Sequence, residues 1–241
     1  SVTAVINVLN FAQSPKGVAF NEIKADVLRS YIEARDNDKF LYTVLRHFKT
    51  LTETENFQEI SECLPPLFEG LQMIWILSRY FSNDGAMVPL LQRIKFVLCT
   101  QVRESLAVGS LFKQSLSRVM KKTLGAVKML QQWKASYLET RMRIEASAKS
   151  HRWEFDKRKL FAETDYMASV AQNLNNVANV IQEFYNIFGP ELKSIISDPG
   201  QIDAVVKRVE ALTLPIEEAD FDIFSHEFAE HWDAIMAGFN Q

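Results

Sequence analysis

Residues 151–161 read HRWEFDKRKLF. Five basic-type side chains, His151, Arg152, Lys157, Arg158 and Lys159, are interleaved there with Trp153, Phe155 and Phe161. Rings among cations can hold single-stranded nucleic acid, because bases stack on the rings while Lys and Arg follow the phosphates. The same pattern serves an ordinary helix junction, with rings packed inward and charged ends left in water. Arg152, Trp153, Asp156, Lys157, Arg158 and Lys159 are therefore the candidate positions, either for a partner contact or for a junction between bundles.

Other stretches that could do chemistry fall short of it. HEFAEH, from His226 to His231, resembles the zinc motif HExxH but is one residue too long. Ligands at i and i+5 of a helix lie about 140° apart, so they cannot share one ion. The DND at Asp36 to Asp38 is followed by Phe40 where a calcium loop needs a further oxygen ligand. Cys63 and Cys99 form no CxxC pair and read as reduced core thiols. No phosphate-cradling glycine loop and no GxSxG occurs. The segment reads as non-catalytic, with no metal or cofactor of its own.

The elements that would position these residues are helical. Met167, Val170, Leu174, Val177, Ile181, Phe184 and Phe188 recur at 3-4 spacing, which puts them on one seam facing a partner helix. Gln172, Asn173, Asn175, Asn176 and Asn179 read as an amide-rich outer face, and Gly189 and Pro190 end the helix. Upstream, Phe112, Leu116, Met120, Leu124, Val127, Leu130, Trp133, Tyr137 and Ile144 predict a helix over 110–147, on the order of 55 Å long, with Gly125 as its weak point. Pro65 and Pro66 are expected to open a central helix that is apolar nearly all round. Asn83 or Asp84 is expected to cap the next, with Pro89 in its first turns. Residues 18–50 read as one long helix or two end to end. Asp198 and Pro199 start a later one, with Ile202, Val205, Val206 and Val209 on one face. The fold class is all-α: consecutive antiparallel helical bundles, divided as 1–109 and 110–241, forming part of an elongated rod.

Composition agrees with this. The 241 residues are 47% apolar and 24% charged, with only 8 Gly and 7 Pro. The longest strongly apolar run, LQMIWIL, is far below the roughly 20 residues that span a bilayer, so no membrane partner is expected. Ser1 is not a start Met, and the chain is expected to be a piece of a longer polypeptide. The net charge of −3 conceals a polarity: residues 110–160 carry 13 Lys+Arg against 4 Asp+Glu, and residues 161–241 carry 3 against 14. The two segments are expected to face each other within the fold or assembly. A basic stripe binds acidic protein surfaces as readily as nucleic acid, and no nucleic-acid partner is expected.

Several long strings occur in an order that resembles one family. ARDNDKFLYTVLRHF, LPPLFEGLQMIWILSRYF, WKASYLETRMRIEASAKSHRWEFDKRKLF, QEFYNIFGPELKSI and VEALTLPIEEADFDIFSHEFAEHWDAIMAGF together resemble the N-terminal tail region of dynein heavy chains, axonemal more than cytoplasmic, from about Ala34 to Phe239. LRHFKTL and MVPLLQRI look closest to the outer-arm beta class, from which FSNDGAM departs by placing Gly85 where a charged residue is common.

The resemblance implies a tail segment of a microtubule motor, lying in the cytoplasm and cytoskeleton at the axoneme of a cilium or flagellum. It implies a rod of helical bundles that docks intermediate chains through their WD-repeat propellers. Other heavy chains, light and light intermediate chains and axonemal docking proteins are the further partners implied. ATP and Mg are expected only in the motor domain of the parent. In this reading HRWEFDKRKLF joins the basic helix to the amide-faced one, with its rings in the junction and its cations paired or meeting a partner. The alternative is a free-standing α-helical interaction domain for an acidic or polyanionic partner.

Overall fold

The computed structural model describes residues 15–147, 152–187 and 199–239. Among them every regular element is helical. Helix α1 spans Pro15–Glu53, so residues 18–50 form one continuous helix. Helix α2 spans Phe57–Leu77, α3 Asp84–Ser105, α4 Val108–Leu111, α5 Leu116–Ala146 and α6 Lys157–Ile187. Helices α7 (Pro199–Ala211) and α8 (Leu214–Glu217), a 3-10 turn at His226–Phe228, and α9 (Ala229–Phe239) complete the order.

Local chemistry explains most boundaries. Asn56 caps α2, its side chain accepting from the Gln58 N–H, so the helix begins eight residues before the first proline. Pro65 and Pro66 thus lie inside α2 rather than opening it. Each removes an N–H, but Ser61 and Glu62, whose carbonyls lose those bonds, are not buried and water can serve them. Asn83 caps α3 through the Ala86 N–H, and Pro89 falls in its second turn. The helix expected over 110–147 is two elements. The chain turns after Leu111, and α5 starts at Leu116 with Ser115 at its N-cap. The short α4 is used instead to receive α8, with Leu111 and Ile216 both buried.

Gly125 lies within the continuous α5 and has a packing role there. A Cβ there would lie 3.2 Å from the Cβ of Phe57, so the glycine lets α2 approach α5 closely. Of the apolar row expected over 110–147, Val127, Leu130, Trp133, Tyr137 and Ile144 are buried and Phe112, Leu116 and Met120 pack partly buried against the core. Leu124 is 41% exposed, whereas Val119, Thr123, Ala126 and Met129 are buried.

The seam of α6 is as the 3-4 spacing requires, with Met167, Val170, Leu174, Val177 and Ile181 buried and Phe184 half-buried. Phe188, Gly189, Pro190 and Asp198 lie outside the described residues, as does the side chain of Ile202. On α7, Val209 is buried, Val206 half-buried and Val205 exposed. One buried cluster runs from Val44 to Trp232, and α2 and α5, on either side of position 110, pack together. Cys63 and Cys99 are buried free thiols.

Candidate functional site

The chain between α5 and α6 has no regular secondary structure from Arg152 to Asp156, and its burial alternates residue by residue. Trp153 and Phe155 accordingly point inward and are buried, while Arg152, Glu154 and Asp156 are exposed. The rings enter an aromatic cluster supplied by three helices. Trp153 meets Trp75 of α2 edge-on at 5.7 Å and Tyr137 of α5 at 5.9 Å between centroids. Phe155 meets Trp75 at 5.3 Å, and Phe161 of α6 meets Tyr137 at 5.1 Å. Edge-to-face geometry sets the positive ring edge against the negative face of its neighbour, adding to the area buried.

Polar contacts hold this segment in place. The Phe155 N–H donates to the Tyr137 hydroxyl at 3.1 Å. Burial pushes the Tyr137 phenol up, the Phe155 contact opposing it, so the hydroxyl stays protonated. Arg141 reaches Glu154 at 3.3 Å. The Asp156 carboxylate accepts from the N–H groups of Arg158 and Lys159 at 3.0 and 3.4 Å and so caps α6.

The six candidate residues thus divide. Trp153 is part of a packed junction, and its indole is closed to any nucleobase or partner. Asp156 is a helix cap. Lys159 lies 3.9 Å from Asp156, and its carbonyl accepts from Lys95 at 3.4 Å. Arg152, Lys157 and Arg158 are exposed and form no ion pair among the described residues. His151 lies outside the described residues. The rings and cations of this stretch are therefore on opposite sides, an arrangement that cannot stack a base while neutralising its phosphate.

Two polar groups escaped the sequence reading. Asn175, assigned to the outer face, is buried and donates to the Met120 carbonyl at 3.1 Å and the Thr123 hydroxyl at 2.9 Å. Its own carbonyl accepts from Asn179 at 2.9 Å. Four helical neighbours of similar type hid this one inward amide; the buried threonine opposite is the signal that could have found it. Gln172 and Asn176 do remain exposed and bond each other.

The second group joins α3, α6 and the acidic end. Glu163 takes Lys95 at 2.9 Å and Arg103 at 3.2 Å, and Arg103 also reaches Asp222 at 3.0 Å. Burial raises the Glu163 carboxyl, but the Lys95 and Arg103 cations outweigh it and hold the group below its ordinary range. Cys99, beside this cluster, is pushed up to about 12, chiefly by burial and then by the Glu163 charge. The acidic end thus pairs mainly with α3. Lys134 with Asp165, at 2.7 Å, is the one described ion pair between the 110–160 and 161–241 segments.

The histidines of HEFAEH lie in aromatic contacts. His226 sits 5.1 Å from the Tyr166 ring and His231 5.6 Å from that of Phe221. Among the described residues no three His, Cys, Asp or Glu are grouped to hold a metal ion, and no helix is long and apolar enough to cross a membrane.

Comparison with known proteins places this architecture. The family model described as dynein heavy chain, N-terminal region 1, matches residues 1–241. The chain is 38% identical over 238 residues to dynein axonemal heavy chain 10 of Homo sapiens, covering 99% of this chain and 5% of that protein. It is 36% identical over 207 residues to the dynein-1-alpha heavy chain of the flagellar inner arm I1 complex of Chlamydomonas reinhardtii, covering 86% of this chain and 4% of that protein. The ciliary dynein beta chain of Tripneustes gratilla is 27% identical over 191 residues, 78% of this chain and 4% of that one. The chain therefore spans about one-twentieth of the relatives it matches. With its whole length matched and its helices packed about a shared aromatic junction, the chain belongs to the dynein heavy chain N-terminal region 1 family.

Proposed function

We propose that this chain is a non-catalytic tail segment of an axonemal dynein heavy chain, a scaffold that helps dock intermediate chains and other subunits of a minus-end-directed microtubule motor. The observation that carries this is the match over the whole chain, joined to 38% identity with an axonemal relative over 99% of its length. The names of the relatives, axonemal, ciliary and flagellar, support a place in the axoneme of a cilium or flagellum. ATP and Mg belong, in this reading, to a motor domain elsewhere in the parent.

Identity favours the inner-arm I1 alpha relative, at 36%, over the beta chains at 27% and 22%, which is weaker support for the outer-arm beta class. Residues 1–109 and 110–241 are proposed to serve as one tail unit, since buried contacts bridge them. The packing supports a mechanical role: a junction of interlocked rings resists a change in the angle between α5 and α6, as a load-bearing tail requires.

The test is light scattering of the purified chain with an intermediate-chain WD-repeat propeller, at low and moderate salt. A one-to-one complex is expected. A folded, helical chain that forms none removes the docking role from this segment.

A further inference from the structure

Helix α5 packs one face on α2 and another on α6, leaving a third outward. Its exposed positions Lys121, Leu124, Lys128 and Gln131 continue through Ala135, Leu138 and Met142, at strict 3-4-3-4-3-4 spacing. Three of them are large and apolar, with Leu124 at 41%, Leu138 at 39% and Met142 at 62% exposed. A face meant only for water has no need of apolar side chains on a helical seam. On the neighbouring α6 the outward row is polar from Asp165 through Ser169 and Gln172 to Asn176, with the exposed Val180 following it. The 3-4 seam is the pattern by which one helix receives another.

Charge selects the partner. Arg118, Lys121 and Lys128 line a groove of about 360 Å³ whose opposite wall, Glu55 to Gln58, supplies the single carboxylate, Glu55. None of the three cations forms an ion pair among the described residues, and Lys122 beside them donates to the Ser105 carbonyl. Helix α5 also has no acidic residue in its first turn, and its N-cap Ser115 makes no side-chain cap bond. The positive end of the helix dipole therefore adds to the cations instead of being offset. At the far end of the face, Glu139 and Glu145 are already bonded to Arg143 and Arg141.

We propose that the outward face of α5, from Arg118 to Met142, docks an acidic amphipathic helix of a partner protein. The partner's carboxylates lie against the cationic N-terminal half of the face, and its apolar side chains lie along Leu124, Leu138 and Met142. The face runs about 36 Å, so the partner helix needs about seven turns. This deepens the scaffold reading and rests on it for the partner being a subunit of the same assembly.

The test uses the 241-residue chain and a labelled synthetic helix of about 28 residues, with Leu on a 3-4 seam and Glu opposite Arg118, Lys121 and Lys128. A scrambled peptide of the same composition and an oligouridylate of equal charge are the controls, read by fluorescence anisotropy at low and moderate salt. The patterned helix is expected to bind at least about tenfold more tightly than either control. Lys121→Glu with Lys128→Glu, and separately Leu138→Ser with Met142→Ser, are each expected to weaken it about tenfold at unchanged circular dichroism and melting temperature. No binding, equal binding of the scrambled peptide, or tighter binding of the oligonucleotide overturns the proposal. Any of these leaves the scaffold reading to the propeller experiment, which does not depend on this face.

Discussion

Replacing Trp153 with alanine is expected to destabilise the chain by about 4 kcal/mol. The indole is fully buried and meets three rings, those of Trp75, Tyr137 and Phe155. A tryptophan buries ~150–250 Å², worth ~4–6 kcal/mol at ~25 cal/mol per Å², an upper estimate because the unfolded chain is partly compact. Its Nε1 has no hydrogen-bond partner among the described residues, so truncation removes packing and strands no acceptor. For a chain of this size the loss lowers the melting temperature by roughly 8–16 °C. Urea unfolding followed by circular dichroism measures it, with Trp153→Phe recovering about half. Arg152→Ala, next along the chain but exposed, is expected to stay within about 0.5 kcal/mol. A loss below about 1 kcal/mol for Trp153→Ala, or an equal loss for Arg152→Ala, would refute the junction as described.

Asn175→Ala is expected to cost about 2–3 kcal/mol in urea unfolding, since the Thr123 hydroxyl, the Met120 carbonyl and Asn179 each lose a bond in a buried site. Pairing Asn175→Leu with Thr123→Val should recover much of that loss, because both partners then become apolar. Gly70→Ala places a Cβ 2.7 Å from Val44 Cγ1, itself buried, and is expected to cost about 1–3 kcal/mol by the same assay. The depressed Glu163 carboxyl contributes stability that is complete above its unfolded pKa and lost as pH falls through its lower folded value. Glu163→Gln should therefore remove the part of the acid-side decline below about pH 4.5 that belongs to this group, and a variant declining as steeply as the wild type contradicts the assignment. Cys99, held protonated with a pKa of about 12, should resist iodoacetamide in the folded chain and react on unfolding, as read by mass spectrometry.

Period and punctuation were legible in the chain. The seam from Met167 to Ile181 needed only 3-4 spacing, and Asn83 and Pro89 marked the start of α3. The inward rings were legible too, because Trp153 and Phe155, both buried, alternate with charged residues that a core would reject. What escaped depends on which neighbour a residue meets. Pro65 looked like a helix start because a proline is compatible with one, while the cap that acts lies nine residues earlier, at Asn56. Gly125 looked weak because a helix alone gains nothing from it; its use is the approach of Phe57. Asn175 looked solvated because its neighbours are, and the Thr123 hydroxyl that receives it stands 52 residues away in sequence.

Sequence by itself determined that this chain is helical, most of its apolar faces, where α3 and α7 begin and to which family it is kin. These follow from interactions within a few turns of one helix, where spacing is geometry. Only the tertiary structure decided that the acidic end pairs with Lys95 and Arg103 of α3 more than with the basic helix, that one amide turns inward, and that Arg118, Lys121 and Lys128 on the outward face of α5 form no ion pair among the described residues. Charge totals carry no direction. Ion pairs and buried hydrogen bonds form at about 3 Å, and which groups come that close is settled by how the helices pack.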